Sequence, residues 1–215
     1  MVSPQGKYRL KMISIIDYGV GNLGSVQNML KKVGVKSRIV STPLEIENSD
    51  KIILPGVGSW DNGILKLHES GLIEALNKRV MIEKIPILGI CLGMQLLLDT
   101  SEEGHLPGLG WISGKVKKFN ITPHQQNLRI PHMGWNIVKA KALTELTRFN
   151  YDETRFYFVH SYHASVDDDQ HALMTCNYGY EFVCAIHHEN IWGVQFHPEK
   201  SHKFGMALMK DFAEL

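Results

Sequence analysis

The sequence contains little cysteine, with three residues at positions 91, 176 and 184 in a chain of 215. An odd, small number at wide spacing argues against a disulfide framework and suits a reducing compartment. Cysteine pairs of the Cys-x-x-Cys type are absent, and the adjacent His187 and His188 lack the i, i+4 spacing of helical ligands. The sequence therefore predicts no metal site.

Long apolar runs and an excess of one charge sign are also missing. No stretch approaches the roughly 18 apolar residues that span a bilayer. The formal net charge of +1 suggests neither nucleic acid nor an anionic membrane as a partner. Residues 1–11 lack the apolar middle of a signal peptide, so we expect a flexible extension, one domain over residues 12–215, and a cytoplasmic protein.

The first half of the chain alternates strand and helix patterns joined by short links. Such alternation predicts a parallel sheet covered by helices on both faces. The predicted strands are 12–17, 36–40, 50–56 and 86–91, and the predicted helices are 23–33, 72–84 and 92–99. In the second half, six strand-like segments precede a closing helix at 202–215. These six segments are 115–119, 135–140, 155–162, 172–178, 181–188 and 191–196. We therefore expect an α/β fold, mainly a parallel sheet, with an antiparallel β extension.

Cys91 lies in the pentapeptide Gly-Ile-Cys-Leu-Gly, at the boundary between a predicted strand and a predicted helix. This pattern is typical of a nucleophile elbow, in which glycines two residues away on either side leave room for a strained turn. A following helix would favour the thiolate, and the backbone N–H of Leu92 would face a developing oxyanion. The alternative is a buried structural cysteine.

A cysteine nucleophile needs a base, and the base needs an orienting acid. His197 and Glu199 follow the last predicted strand at i, i+2 spacing, so both side chains can face one site. Parallel strands end at one sheet edge, where α/β proteins bind ligands. Cys91 and His197 are therefore expected there together, with a solvated loop histidine as the alternative. Leu-Pro-Gly-Val-Gly-Ser at 54–59 closes another strand, and the N–H of Val57 is a candidate second oxyanion donor.

These motifs resemble the class I (triad-type) glutamine amidotransferases, and in particular the glutaminase subunits of imidazole glycerol phosphate synthases. The resemblance covers residues 12–215 and implies a flavodoxin-like α/β fold. It is carried by DYGVGN (17–22), LPGVGS (54–59), GICLGMQLL (89–97), PHMGWN (131–136), YFVHSYH (157–163) and GVQFHPEKS (193–201).

The resemblance implies that Cys91 attacks the side-chain amide of L-glutamine. His197 would act as the base and Glu199 would orient it, while the N–H groups of Leu92 and Val57 hold the oxyanion. Gly56, Gly58, Gln95 and the segment His160, Ser161, Tyr162 would bind the substrate. For Gln95 the alternative is a buried helix amide, and for the run FYFVHSY (156–162) it is a core strand.

The resemblance also implies a partner, since nothing in the chain resembles a synthase domain. Ammonia would pass to a (β/α)8-barrel cyclase in a heterodimer, and no cofactor would be needed. Asn22, Met133 and Trp135 would face that barrel, whereas a helix cap for Asn22 and a core aromatic for Trp135 are the alternatives. Other open interpretations are a paralogue that supplies ammonia to surface-polysaccharide sugars, a cysteine peptidase, and a regulatory subunit without activity.

Overall fold

A computed structural model describes residues 12–121, 128–148 and 153–215. The expected extension at 1–11 lies outside these residues. Twelve strands and six α-helices form in the described part of the chain. The strands are β1 (Ile13–Ile16), β2 (Ser37–Val40), β3 (Lys51–Gly56), β4 (Ile87–Cys91), β5 (Thr100–Ser101), β6 (Gly114–Lys118), β7 (His132–Ala140), β8 (Arg155–His160), β9 (Tyr162–Val166), β10 (Ala172–Tyr178), β11 (Tyr180–His188) and β12 (Ile191–Val194). The helices are α1 (Leu23–Lys32), α2 (Pro43–Glu47), α3 (Trp60–Glu69), α4 (Ile73–Asn77), α5 (Leu92–Gln95) and α6 (His202–Glu214).

The strands run in the order β2-β1-β3-β4-β12-β11-β10-β7-β8. The first five are mutually parallel, and β11, β10, β7 and β8 add to them in antiparallel fashion. Strands β6 and β9 form a branch on β11, with β5 beside β6. The expected parallel sheet with an antiparallel extension is therefore confirmed.

Two hydrophobic clusters cover the two faces of the sheet. On β3, Ile53 belongs to one cluster, whereas Ile52 and Leu54 belong to the other, as the period of two in a strand requires. Helices α1 and α6 pack on the first face, and α3 and α4 pack on the second. Within the described residues, no helix combines the length and the apolar character that crossing a bilayer requires.

The predicted helix at 92–99 is too long, because α5 ends at Gln95. The carbonyls of residues 96, 97 and 98 accept hydrogen bonds from the backbone N–H groups of Leu109, Trp111 and Gly110. The amides that would extend the helix are also bonded elsewhere: the N–H groups of Leu97 and Leu98 donate three residues back, to Met94 and Gln95, and that of Asp99 donates to the carbonyl of Gly114. A longer helix would need each of these amides for the carbonyl four residues before it. The helix after Cys91 is thus shorter than predicted, and the expected support of the thiolate by its N-terminus stays a prediction.

Other differences lie in segments whose partners are distant in sequence. Helix α3 was not predicted, although Trp60, Gly63, Ile64 and Leu67 are buried at i, i+3, i+4 and i+7. The predicted strand 155–162 divides at Ser161, because β8 pairs with β7 whereas β9 pairs with β6 and β11. The predicted helix at 72–84 is α4 followed by a π-helical turn at residues 78–82.

Candidate active site

Cys91 ends β4 in a conformation that L-residues rarely adopt, with φ 55° and ψ −111°. The two flanking glycines make this turn possible by close packing. A Cβ on Gly93 would lie 1.8 Å from the carbonyl oxygen of Leu54, and one on Gly89 would lie 2.7 Å from that of Gly93. The predicted elbow therefore forms, and the backbone strain holds the thiol at the edge of the sheet.

His197 reaches the same edge from the neighbouring strand. Strand β12 is parallel to β4, with Val194 opposite Ile90, and the chain continues past Val194 to His197. The backbone N–H of His197 donates to the carbonyl oxygen of Tyr157 at 2.9 Å. The Ser201 hydroxyl donates to the carbonyl of His197 at 2.6 Å and accepts from the N–H of Tyr157 at 3.0 Å. These bonds fix the turn that carries the imidazole.

The carboxylate of Glu199 binds the imidazole of His197, with 2.7 Å between Oε1 and Nδ1. Both side chains are 3% exposed. Within the described residues, Nε2 of His197 is buried and has no hydrogen-bond partner. Burial lowers the pKa of His197, but the nearby Cys91 sulfur and the Glu199 carboxylate outweigh it and raise that pKa above its ordinary value. The imidazole can therefore accept a proton from the thiol and keep it.

A cavity of about 310 Å³ joins these groups, near the lower end of the range for small-molecule sites. Cys91 and His197 both line it, with Leu92 and Val57 beside them. The other predicted lining residues are Gly58, Gln95, His160, Ser161 and Tyr162. Gly56 is a correction: it is buried, and a Cβ there would lie 2.7 Å from the Tyr18 hydroxyl and 2.8 Å from the Gly93 nitrogen. It allows close packing beneath the elbow and does not contact the cavity.

Gln95, which lines the cavity, forms an amide pair with the buried Gln195. Nε2 of Gln95 donates to the carbonyl of Tyr162 at 3.2 Å and to Oε1 of Gln195 at 2.9 Å. Nε2 of Gln195 in turn lies 3.7 Å from Sγ of Cys91. With both amide protons of Gln95 committed, its side chain can offer a ligand only the carbonyl oxygen.

Two buried histidines with lowered pKa values lie side by side, and one of them, His160, lines the cavity. Nδ1 of His132 and Nε2 of His160 are 2.9 Å apart, and Nδ1 of His160 donates to the carbonyl of Tyr162 at 2.7 Å. Burial lowers the pKa of His160 to about 3 and that of His132 to about 4. Both imidazoles are therefore neutral near pH 7, and His160 lines the cavity with an uncharged side chain.

Sequence reasoning missed two polar residues at this site, and also Pro131 and Val159, which line the cavity. Glu103 lines the cavity, and its Oε2 accepts the N–H of Trp60 at 2.8 Å, at the start of α3. No motif in the sequence indicated it. Gln195 could have been found, because it precedes His197 by two residues, and the period-two argument applied to His197 and Glu199 extends to it.

The three residues expected to face a partner are all exposed. Met133 is 60% exposed and Trp135 45% exposed, and both lie on the same face of β7. The core alternative for Trp135 is therefore wrong; its ring stacks on His202 at 5.5 Å between centroids. Asn22 is the N-cap of α1 and accepts the N–H of Ser25 at 3.2 Å, as its alternative interpretation requires.

Metal ligands do not cluster near this site. Over residues 12–121, 128–148 and 153–215, no group of three or more histidine, cysteine, aspartate or glutamate side chains could hold a metal ion. The chemistry available to the cavity is that of a thiol, an imidazole and a carboxylate in series.

Comparisons with known proteins agree with this geometry. The family model described as glutamine amidotransferase class-I matches residues 14–214. A protein of Methanococcus maripaludis named imidazole glycerol phosphate synthase subunit HisH 2 is 53% identical over 201 residues, which are 94% of this chain and 98% of that protein. A protein of the same name from Pseudomonas aeruginosa is 48% identical over 204 residues, 95% of this chain and 100% of its own length. The solved structure of PurLQS from Thermotoga maritima has the same fold, with a TM-score of 0.72 at 16% identity, covering 94% of this chain and 97% of that one.

Proposed function

The chain belongs to the class-I glutamine amidotransferases, and on that premise we propose that it is the glutaminase subunit of an imidazole glycerol phosphate synthase. It hydrolyses L-glutamine to glutamate and ammonia and supplies the ammonia to a synthase partner in histidine biosynthesis. The observation that carries the proposal is that Cys91 and His197 line one cavity, with Glu199 bound to the imidazole behind it. The names of the relatives support the histidine pathway over the surface-sugar alternative.

The first half of the reaction forms a covalent bond between enzyme and substrate. The Cys91 proton passes to Nε2 of His197, and the thiolate attacks the side-chain amide carbon of glutamine. Glu199 stabilises the imidazolium. The N–H groups of Leu92 and Val57 are the proposed donors to the tetrahedral oxyanion, and such a donor contributes about 10²–10³ in turnover. His197 then returns the proton to the leaving nitrogen, so ammonia departs and a glutamyl thioester remains.

The second half regenerates the thiol. His197 takes a proton from a water molecule, whose oxygen attacks the thioester carbon. The same N–H groups hold the second oxyanion, and the carbon–sulfur bond breaks as the proton moves from His197 to Cys91. Glutamate leaves, and atoms and charge balance without a cofactor.

The cavity offers opposite charge to the α-ammonium of glutamine. Glu103 lines the cavity, whereas Glu199 lies behind His197. We assign the Glu103 carboxylate and the side-chain carbonyl oxygen of Gln95 to binding of the ammonium. His160, Ser161 and Tyr162 complete the wall around the amino-acid end of the substrate. A neutral His160 fits that role, because a charged imidazole would repel the ammonium.

A partner of the (β/α)8-barrel type, forming a heterodimer in the cytoplasm, belongs to the same proposal. The exposed apolar face of β7, formed by Met133, Trp135 and Ile137, supports a contact there, since contiguous exposed apolar side chains often mark a protein–protein contact. Asn22 is exposed at the turn that follows β1.

The test is Cys91→Ser in the complex with its cognate barrel subunit, assayed with glutamine and separately with ammonium chloride. Glutamine-dependent turnover should fall about a thousandfold or more, because the nucleophile is lost. Ammonium-dependent turnover should persist, since it bypasses the thiol. Cys176→Ser is the matched control, a buried free cysteine outside the cavity, and should keep both activities. Full glutamine-dependent turnover in Cys91→Ser would refute the proposal.

The acceptor is tested separately, by complementation of a histidine-requiring strain that lacks its own glutaminase subunit. Growth with a histidine-pathway barrel is the expected result. Failure to grow, with ammonia still released from glutamine by the complex with another barrel paralogue, would indicate the surface-sugar alternative. Cleavage of peptides without any partner would instead indicate the cysteine peptidase.

A further inference from the structure

Gln195 occupies a position that the triad mechanism does not use. Its side chain is fully buried, and its backbone N–H donates to the carbonyl of Cys184 at 2.9 Å. Oε1 accepts from Gln95 at 2.9 Å, and Nε2 lies 3.7 Å from Sγ of Cys91, within reach of an N–H to sulfur hydrogen bond. A buried amide of this kind is held in one orientation only if its neighbours have fixed donor and acceptor roles.

The network around Gln195 fixes those roles from an unambiguous starting point. The carbonyl of Tyr162 can only accept, so the group of Gln95 that faces it must be the amide nitrogen. That nitrogen also faces Gln195, whose opposing atom must therefore be the oxygen. The remaining end of the Gln195 amide, the N–H2 group, then faces the sulfur.

We propose that Gln195 is a further catalytic residue, whose N–H group donates a hydrogen bond to the Cys91 sulfur and stabilises the thiolate. The inference rests on the proposed function for its consequence in turnover, because a glutaminase needs the thiolate for attack on the amide carbon. A hydrogen bond to an ionised acceptor is roughly twice as strong as one between neutral groups, so this donor favours the thiolate over the thiol.

Few groups around the Cys91 sulfur can stabilise its thiolate. Among the described residues, no lysine or arginine lines the cavity, and α5 is too short to provide a large dipole. The titratable groups that line the cavity together with Cys91 are His197, His160, Tyr162 and Glu103, and Tyr18 interacts with Cys91 from outside it. The Tyr18 hydroxyl donates to the carbonyl of Pro55 at 2.8 Å, and its pKa is raised by burial and by Cys91. It is therefore committed elsewhere, whereas Gln195 is aimed at the sulfur.

Two variants remove the donor in different ways. Gln195→Met keeps the length of the side chain and removes the amide, and Gln195→Asn keeps an amide but withdraws it by one methylene. Gln170→Asn, at an exposed position in the turn Asp169–His171, is the matched control. Thermal unfolding identifies any variant that fails to fold, and either folded Gln195 variant suffices for the test.

The first measurement is the rate of iodoacetamide alkylation at Cys91 between pH 5 and 10, resolved by peptide mass spectrometry from Cys176 and Cys184. Because the thiolate is the reactive form, loss of the donor should move the midpoint of the profile to higher pH by about one unit. The rate on the acid side of the midpoint should fall about tenfold. The control should match the wild type.

The second measurement is glutamine-dependent turnover of the complex, where we expect kcat to fall about tenfold while ammonium-dependent turnover is unchanged. The two measurements separate the two proposals. If the profile moves but the wild type releases no ammonia, the role of Gln195 stands and the glutaminase assignment fails. If the wild type is a glutaminase and the profiles of both folded variants coincide with it, the role of Gln195 is refuted.

Discussion

The neutral pair His132 and His160 should make this protein sensitive to acid. Both histidines are buried, at 2% and 6% exposure, and burial is the main reason that their pKa values fall to about 4 and about 3. An unfolded chain restores both to about 6.5. Between pH 6.5 and 4 the unfolded state therefore binds more protons than the folded state, and stability is lost as the pH falls through this window.

The magnitude follows from the linkage relation. At pH 5 an unfolded histidine is almost fully protonated, whereas His160 and His132 are still mostly neutral in the folded protein. Integrating from pH 7 to pH 5, each histidine removes about 2 kcal/mol from the free energy of unfolding. The pair together should remove about 4 kcal/mol, a large fraction of the ~5–15 kcal/mol that stabilises a typical domain.

His132→Asn isolates one half of this effect. Nδ2 of asparagine occupies the place of Nδ1, the atom that faces Nε2 of His160, so a donor is retained while the titrating group is lost. Equilibrium urea unfolding at pH 7, 6 and 5, at constant ionic strength, gives the free energy at each pH. The loss between pH 7 and 5 should shrink by about 2 kcal/mol relative to the wild type.

The comparison uses the pH-dependent difference, because the lost stacking of His132 on Phe158 and Tyr178 will lower stability at every pH. His68→Asn, at an exposed position on α3, is the control and should leave the difference unchanged. If His132→Asn loses as much stability between pH 7 and 5 as the wild type, His132 is not neutral in the folded state and the reasoning fails.

Two further predictions concern the elbow and the substrate cavity. Gly93→Ala should lower the free energy of unfolding by at least ~3 kcal/mol in urea, because its Cβ would lie 1.8 Å from the Leu54 carbonyl. Gly24→Ala is the control, because a Cβ at this position in α1 would have no atom within 4 Å, and it should be neutral or stabilising. Equal stability of the two variants would contradict the prediction. Glu103→Gln should raise KM for glutamine about 10- to 100-fold with a smaller change in kcat, because a charged contact to the ammonium is lost. Steady-state kinetics with Glu102→Gln as the neighbouring control would check it, and an unchanged KM would remove Glu103 from the binding site.

The parts of the site that the sequence predicted depend on local pattern and on one topological rule. The glycine spacing around Cys91 requires only neighbouring backbone, and the alternation of His197 and Glu199 requires only an extended chain. Because parallel strands end at the same edge, β4 and β12 bring the thiol and the imidazole together across 106 positions of sequence. Nothing about distant packing was needed.

The errors in secondary structure arise where distant segments compete for backbone groups. Helix α5 stops at Gln95, where the amides of Leu97 and Leu98 donate only three residues back and the amide of Asp99 donates to the distant carbonyl of Gly114. The strand 155–162 divides because its two halves pair with different neighbours. Local sequence propensity contains no information about these hydrogen-bond partners, since each lies in another part of the chain.

The absence of Glu103 from the sequence interpretation, and of the orientation of Gln195, follows from those same errors. Glu103 is held in place by the N–H of Trp60, the first residue of α3, so a sequence interpretation without α3 has no group to position its carboxylate. The orientation of Gln195 depends on the carbonyl of Tyr162, which follows the break at Ser161 that the pattern did not predict. The proposed triad can thus be predicted from motifs, whereas the residues proposed to bind substrate and to stabilise the thiolate are positioned by hydrogen bonds between distant segments, and these require the fold.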